Sequence, residues 1–158
     1  MRRAVTFITA IFILLLTPSG CRSEELFPVC ETFYTEAQIS GIFEYKAIIT
    51  NEYIEIESSV FTEKVRCQNG VITCGDFTAE HTQTQNISVF SLPELLTEIL
   101  CGSAEHKTSG FGKKRTTIAT FKEEEYSLIT DASGTPQKMT WGGFTVVFSD
   151  FIFDKEAD

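Results

Sequence analysis

Positively charged residues are scarce in this 158-residue chain, which has 13 lysine and arginine residues against 22 aspartate and glutamate residues. Two of the arginines, Arg2 and Arg3, lie in an N-terminal segment that we expect to be removed, so the net charge of the remaining chain is about −11. Such a chain repels phosphate backbones and anionic lipid head groups. We therefore expect no nucleic-acid binding and no electrostatic attachment to a membrane.

Histidine is also scarce, and sequence patterns typical of catalysis are missing. His81 and His106 stand alone, and the spacing of Cys67 and Cys74 does not fit a zinc knuckle. The chain has no Ser-His-Asp order and no paired carboxylates in a recognisable context. The glycine- and lysine-rich residues 108–115 lack the spacing of a phosphate-binding loop and are predicted to form a basic surface loop. We expect no enzyme activity, no metal and no cofactor.

The apolar N-terminal run, residues 4–16, is too short to span a bilayer comfortably. It follows two arginines and is followed by the small residues Ser19 and Gly20, an arrangement typical of a secretory signal. Residues 1–20 are therefore expected to be cleaved from the mature protein.

Cys21 directly follows these small residues, so the segment resembles a bacterial lipoprotein signal. In such signals cleavage lies between the residues that correspond to Gly20 and Cys21, and the thiol carries a diacylglyceryl group. Pro18 stands where these signals usually have leucine. Lipid anchoring through Cys21 is the expectation, and ordinary secretion with an unmodified cysteine is the alternative.

Four further cysteines, Cys30, Cys67, Cys74 and Cys101, are an even number in an exported chain and allow two disulfides. Cys67 and Cys74 flank a predicted turn, so they could form a bridge across a hairpin and leave Cys30 to pair with Cys101. Four cysteines allow three connectivities, and buried unpaired thiols are equally compatible with an anaerobic host.

Alternating apolar and polar residues predict many β-strands. The Asn-Gly pair at 69–70 predicts a tight hairpin, and residues 149–150 are expected to form a bulge that keeps one apolar face on the last strand. The predicted strands are residues 42–50, 53–60, 64–67, 71–74, 86–90, 116–121, 126–130, 138–141 and 144–153.

One helix is predicted between Ser91 and Gly102. Ser91 and Glu94 have the spacing of a capping box, Pro93 suits the first turn, and leucine and isoleucine recur at helical spacing. The fold class expected from these patterns is mainly β, as a curved antiparallel sheet or half-open barrel with one or two helices that cover the concave face. Residues 1–20 are the signal, 21–38 a tether with the first structured residues, and 39–158 a single domain.

The stretches 126–136 and 141–151, together with Asn69-Gly70-Val71 ahead of residues 91–96, resemble uncharacterised lipoproteins of Gram-positive anaerobes. Those proteins are in turn similar to the LolA/LolB-like lipoprotein carriers. The resemblance implies a half-open barrel whose concave face takes acyl chains. The residues that it implies for this face are Phe43, Tyr45, Phe121, Trp141, Phe144, Val146 and Phe148, for which an ordinary core is the alternative.

Two functions follow from the sequence. The first is a non-enzymatic lipoprotein on the outer face of the cytoplasmic membrane that binds an apolar or lipid ligand. The second is a small secreted, disulfide-bonded domain that acts by protein contact, in which Asn86 of the sequence Asn86-Ile87-Ser88 would carry a glycan.

Overall fold

The computed structural model describes residues 31–60, 62–80, 88–101, 107–111 and 113–154 as one large antiparallel sheet with a single helix. The predicted fold class, mainly β with an open curved sheet, is confirmed. The elements are β1 (Thr32–Ser40), β2 (Glu44–Thr50), β3 (Tyr53–Glu57), β4 (Val65–Gln68), β5 (Val71–Cys74), β6 (Phe77–Glu80), α1 (Leu92–Cys101), β7 (Lys107–Phe111), β8 (Lys114–Phe121), β9 (Glu124–Asp131), β10 (Pro136–Trp141) and β11 (Phe144–Asp154).

The eleven strands lie in the order β6-β5-β4-β3-β2-β1-β11-β10-β9-β8-β7. Two meanders are joined where β1 pairs with β11, so the first and last described strands lie side by side in the middle of the sheet. The sheet is not closed, because β6 and β7 form its two opposite edges. Every neighbouring pair is antiparallel, which allows short turns between successive strands.

One face of the sheet, here called the inner face, packs against α1. Alternate residues of the strands point to it, as Phe33, Ala37 and Ile39 of β1 do, and they join one buried cluster with the helix. The helix contributes five buried side chains to this cluster: Leu92, Leu95, Leu96, Ile99 and Leu100.

The sheet curves strongly around this helix. Glu94 of α1 contacts Lys122 in the β8–β9 turn, with Oε2 2.6 Å from Nζ, and it also lines a cleft with Asn69 of the β4–β5 turn. In a flat sheet β4 and β8 would lie seven strand spacings, about 34 Å, apart. A helix of ten residues is only about 15 Å long. Curvature therefore brings distant strands to the same helix.

Two local predictions are confirmed. Asn69 and Gly70 both have positive φ, at 50° and 74°, as a two-residue hairpin of the mirror-image turn type requires. The predicted bulge lies at Asp150, where φ is 50° and the pairing of β1 with β11 shifts register. Beyond the bulge, Phe151 and Phe153 return to the inner face, where Phe151 stacks on Phe33 at 5.8 Å between ring centroids.

Four segments differ from the prediction. The sheet begins at Thr32, ahead of the expected domain start at residue 39, and the short strand β6 was not predicted. Residues 107–111 and 114–115 belong to the hairpin of β7 and β8, although the sequence predicted a loop there. The expected strand at 86–90 is wrong for its described part, because Val89–Ser91 form a 3-10 turn capped by the Ser88 hydroxyl. Residues 86 and 87 lie outside the described residues.

A threonine pair on the inner face yields a stability prediction. Thr35 and Thr130 are both fully buried, but Thr35 Oγ1 lies 3.0 Å from the carbonyl oxygens of Glu36 and Ser149 beside the bulge, whereas Thr130 Oγ1 has no partner. Thr35→Val should lower the free energy of unfolding by about 1–3 kcal/mol, because the single hydroxyl proton that these two carbonyls share is lost. Thr130→Val should leave it unchanged or raise it by up to about 1 kcal/mol. Urea denaturation of both variants measures the difference, and equal losses would contradict it.

Candidate ligand site between the helix and the sheet

The seven residues proposed for an apolar ligand face do not form one open surface. Six of them have side chains in or against the core, and the seventh, Phe43, lies in the β1–β2 turn with about half of its surface exposed. The four that are buried are Phe121, Trp141, Val146 and Phe148, and the two that are partly buried are Tyr45 and Phe144. The inner face is therefore filled, chiefly by side chains of the strands and of α1.

Trp141 is the largest side chain in this buried layer and is 2% exposed. Its ring meets that of Phe121 edge-on at 5.6 Å between centroids, and its cross-strand partners are Tyr126 and Phe144. Its Nε1 is buried without a hydrogen-bond partner. Burial, with a smaller contribution from the carboxylate of Glu98, raises the pKa of Tyr126 to about 12, so its phenol stays protonated at neutral pH.

A cleft of about 470 Å³ lies beside the first turns of α1. Its floor includes Cys67, which belongs to the core cluster, and Phe90, which packs against that cluster. Its mouth is polar and acidic. The remaining lining residues are Asn51, Asn69, Gly70, Ser91, Pro93, Glu94, Thr97 and Glu98. The cleft therefore combines polar and acidic side chains with two side chains that belong to the apolar core or pack against it.

Of these cleft residues only Cys67 was singled out from the sequence, as a possible disulfide partner and not as part of a ligand site. Asn69 was interpreted as a turn residue, and Glu94 as part of a helix cap. Both interpretations are compatible with lining a cleft, but only the curvature of the sheet brings the β4–β5 turn to the polar side of α1. Residues on the solvent side of an amphipathic helix give no sequence signal that distinguishes a cleft wall from an ordinary surface.

Cys67 and Cys74 are free thiols on neighbouring strands. Cys67 pairs with Ile72 and Cys74 pairs with Val65, so the two cysteines lie diagonally across the hairpin on the same face. Diagonal neighbours are about 7–8 Å apart, whereas disulfides have Cα atoms about 5.5–6 Å apart. A bridge between them stays a prediction and would require the strands to shift. Burial raises the pKa of the Cys67 thiol, which favours its protonated, less reactive form.

The other predicted site residues fall outside what the structure describes. Gly20, Cys21 and Cys30 precede residue 31, and of Cys101 only the position at the end of α1 is described. Within the described ranges no three histidine, cysteine or carboxylate side chains come together as a metal site would need. The helix that these ranges contain is too short and not apolar enough to cross a membrane.

A second cleft, of about 400 Å³, lies on the opposite, outer face of the sheet. It is lined by charged side chains of β1, β2 and β3 and by Lys64, whose Nζ lies 2.8 Å from Glu55 Oε1. The Lys64 side chain is 56% exposed, so this ion pair is screened by solvent on one side and contributes little to stability.

Comparisons with known proteins add no family. No family model and no curated protein matches the chain. Among solved structures, a structure of PNGF-II is similar over 80% of this chain, with 10% sequence identity and a TM-score of 0.32. The chain spans 29% of the length of that protein. Similarity at this level supports no inference about function.

Proposed function

We propose that the protein is a non-enzymatic lipoprotein, anchored through Cys21 to the outer face of the cytoplasmic membrane, that holds an apolar or lipid ligand between α1 and the sheet. The observation that carries the ligand part is the cleft beside α1, because its floor at Cys67 and Phe90 is continuous with the apolar core. Ligand sites generally combine an apolar interior with a few polar groups at the mouth.

The carboxylates at the mouth of the cleft restrict which ligand head groups can bind there. Glu94 and Glu98 stand at its mouth, and Glu94 is already paired with Lys122. A ligand with a carboxylate or phosphate head would meet like charge there, whereas a neutral head could donate hydrogen bonds to these carboxylates and a positively charged head could also pair with their charge. An acyl or alkyl chain with an uncharged or cationic head is therefore the proposed ligand.

Because side chains fill the inner face, little space is left there for the acyl or alkyl chain of a ligand. Trp141 and Leu96 are both buried, so a long chain must displace α1 from the sheet, whereas a short one fits within the cleft. Displacement would expose several leucine and isoleucine side chains, and the ligand must replace those contacts to bind.

Native mass spectrometry of the protein purified from the membranes of its own host tests both parts. We expect a diacylglyceryl mass shift at Cys21, absent in Cys21→Ser, and a non-covalent cargo. Thr97→Trp, which places a large ring in the cleft, should remove the cargo. Thr73→Trp, at a half-buried outer-face position, should retain it. An unshifted Cys21 would overturn the anchor, and cargo that survives Thr97→Trp would overturn the site. A glycan at Asn86 with two disulfides would instead favour the secreted domain.

A further inference from the structure

The three most exposed large apolar side chains of the described residues, and a fourth that is half exposed, lie at one end of the sheet. Ile42 is 93% exposed, Phe77 64%, Val60 61% and Phe43 52%. Ile42 and Phe43 form the β1–β2 turn, Val60 lies in the β3–β4 connection, and Phe77 directly follows the β5–β6 turn. In an antiparallel meander these three connections leave the sheet at the same end. We call these four residues the apolar rim.

The three connections are neighbours in space. The sheet order places the β5–β6, β3–β4 and β1–β2 pairs side by side, so adjacent tips lie about 10 Å apart. Contacts agree with this order, because any side chain added at Gly75 would collide with the Glu63 carboxylate of the next connection. On the other side, a Cβ at Gly41 would lie 3.1 Å from Cδ1 of Phe144, beyond the β10–β11 turn. The rim is thus a row of tips about 20 Å long.

The opposite end of the sheet differs in character. Its described turns contain mainly polar residues and glycine, at 51–52, 69–70 and 132–135. The other exposed large apolar residues are spread over strands of the outer face: Val71, Ile118, Val147 and Ile152. Scattered residues of this kind are normal, whereas a contiguous apolar row indicates a contact surface.

We propose that the apolar rim dips into the surface of an electrically neutral, zwitterionic lipid layer. Side chains at the apex of protruding turns need no matching pocket in a lipid surface, whereas a protein partner must supply one. The charges that flank the rim favour neutral lipid, because acidic residues outnumber bases there. The acidic residues are Glu44, Glu57, Glu63 and Asp76, and the bases are Lys46, which lies opposite Glu57, and Lys64, which is paired with Glu55. Anionic lipid would be repelled.

The position of the chain start permits this contact. Thr32 lies at the end of β1 away from the rim, and β1 is about 30 Å long. The eleven residues from Cys21 to Thr32 can span at most about 36 Å, so a domain anchored at Cys21 can bring its rim to the same membrane. The rim proposal does not depend on that anchor, because its apolar residues act without acylation.

Vesicle sedimentation tests the rim with the mature chain carrying Cys21→Ser, which has no acyl group. The wild-type rim should bind phosphatidylcholine vesicles, and the double change Ile42→Ser with Phe43→Ser should lower the partition coefficient by at least about tenfold. The matched control, Val147→Ser with Ile152→Ser on the outer face, should change it less than about twofold. Circular dichroism checks that both variants are folded.

A comparison of anionic phosphatidylglycerol vesicles with phosphatidylcholine vesicles distinguishes the effect of charge on binding from that of apolar contact. We expect weaker binding to them than to phosphatidylcholine at low salt, and a smaller difference at high salt, because salt screens the flanking carboxylates. Binding of the rim variant at the wild-type level would overturn the proposal. So would a wild-type chain that binds neither vesicle but forms dimers broken by the rim variant, which would assign the rim to self-association. Loss of lipidation at Cys21 would leave both expected results unchanged.

Discussion

Replacing Trp141 with alanine is expected to lower the free energy of unfolding by about 3–5 kcal/mol. The indole is 2% exposed and lies on the inner face at the end of β10, against Phe121, Tyr126 and Phe144. Alanine would leave a cavity at this position. The side chains around it cannot move in to fill the cavity, because their strands, β8, β9, β10 and β11, are fixed by pairing with one another. Domains are typically stable by only about 5–15 kcal/mol, so the variant should be close to its unfolding threshold.

The matched change Trp141→Phe distinguishes the effect of ring packing on stability from the effect of the buried indole N–H. Phenylalanine keeps the edge-on contact with Phe121 but removes the indole N–H, which is buried without a partner. The loss of ring volume and the removal of an unsatisfied donor act in opposite directions, so we expect a net change within about 1.5 kcal/mol. Trp141 is the single tryptophan of the chain, so unfolding should be followed by circular dichroism and not by indole fluorescence.

The outcome of this pair bears on the ligand as well as on stability. If Trp141→Phe cost as much as Trp141→Ala, the indole N–H would have a partner in solution that the fold itself does not supply. An acceptor oxygen of a bound molecule would be one such partner, and removal of the cargo would then reduce the difference between the variants. A small cost for Trp141→Phe agrees with an inner face that side chains fill.

The elements with strict alternation were the ones that sequence could predict. β2 and β3 place an apolar residue at every second position, β11 does so up to its bulge, and β9 does so except at Thr130. The Asn69-Gly70 turn needs positive φ at both residues, which few other pairs adopt without strain. The bulge at Asp150 was predictable for a related reason. Without it, Phe151 and Phe153 would point away from the core that Phe148 enters.

Three strands gave weaker signals, each for a physical reason. β1 has the polar Thr35 and the small Ala37 at two of its four buried positions, so its apolar alternation is weak, although it is the strand that joins the two halves of the sheet. β6 has only four residues, most of them exposed, and is held by pairing with β5. β7 is an edge strand that contains Gly110, a residue that weakens strand propensity.

The candidate site was predictable only in part. Alternation correctly placed Trp141, Val146 and Phe148 on one face, but it gave no information on whether that face is empty or covered. Phe43 also follows the alternation of β2, yet it lies one residue before the strand and is half exposed in the turn. The cleft depends on long-range curvature, which no local pattern encodes.

Replacing Leu96 with alanine should lower the free energy of unfolding by about 2–5 kcal/mol, because Leu96 is fully buried where α1 meets the sheet. The control Glu98→Ala, at an exposed position two residues along the same helix, should change it by less than about 0.5 kcal/mol. Urea denaturation gives both values, and the dependence of the free energy on urea should stay the same if the native state stays compact.

This comparison also decides whether the inner face is closed in solution. If α1 packs against the sheet as described, truncation of Leu96 removes most of the free energy that folding gains by moving a leucine side chain out of water. A cost below about 1 kcal/mol would mean that α1 is not seated on the sheet, so that the apolar residues beneath it would be open to ligand without any displacement. A large cost means that a long acyl chain must compete with α1 for the same surface. In that case Leu96→Ala, by weakening the competitor, should raise the affinity for such a chain while it lowers the stability of the empty protein.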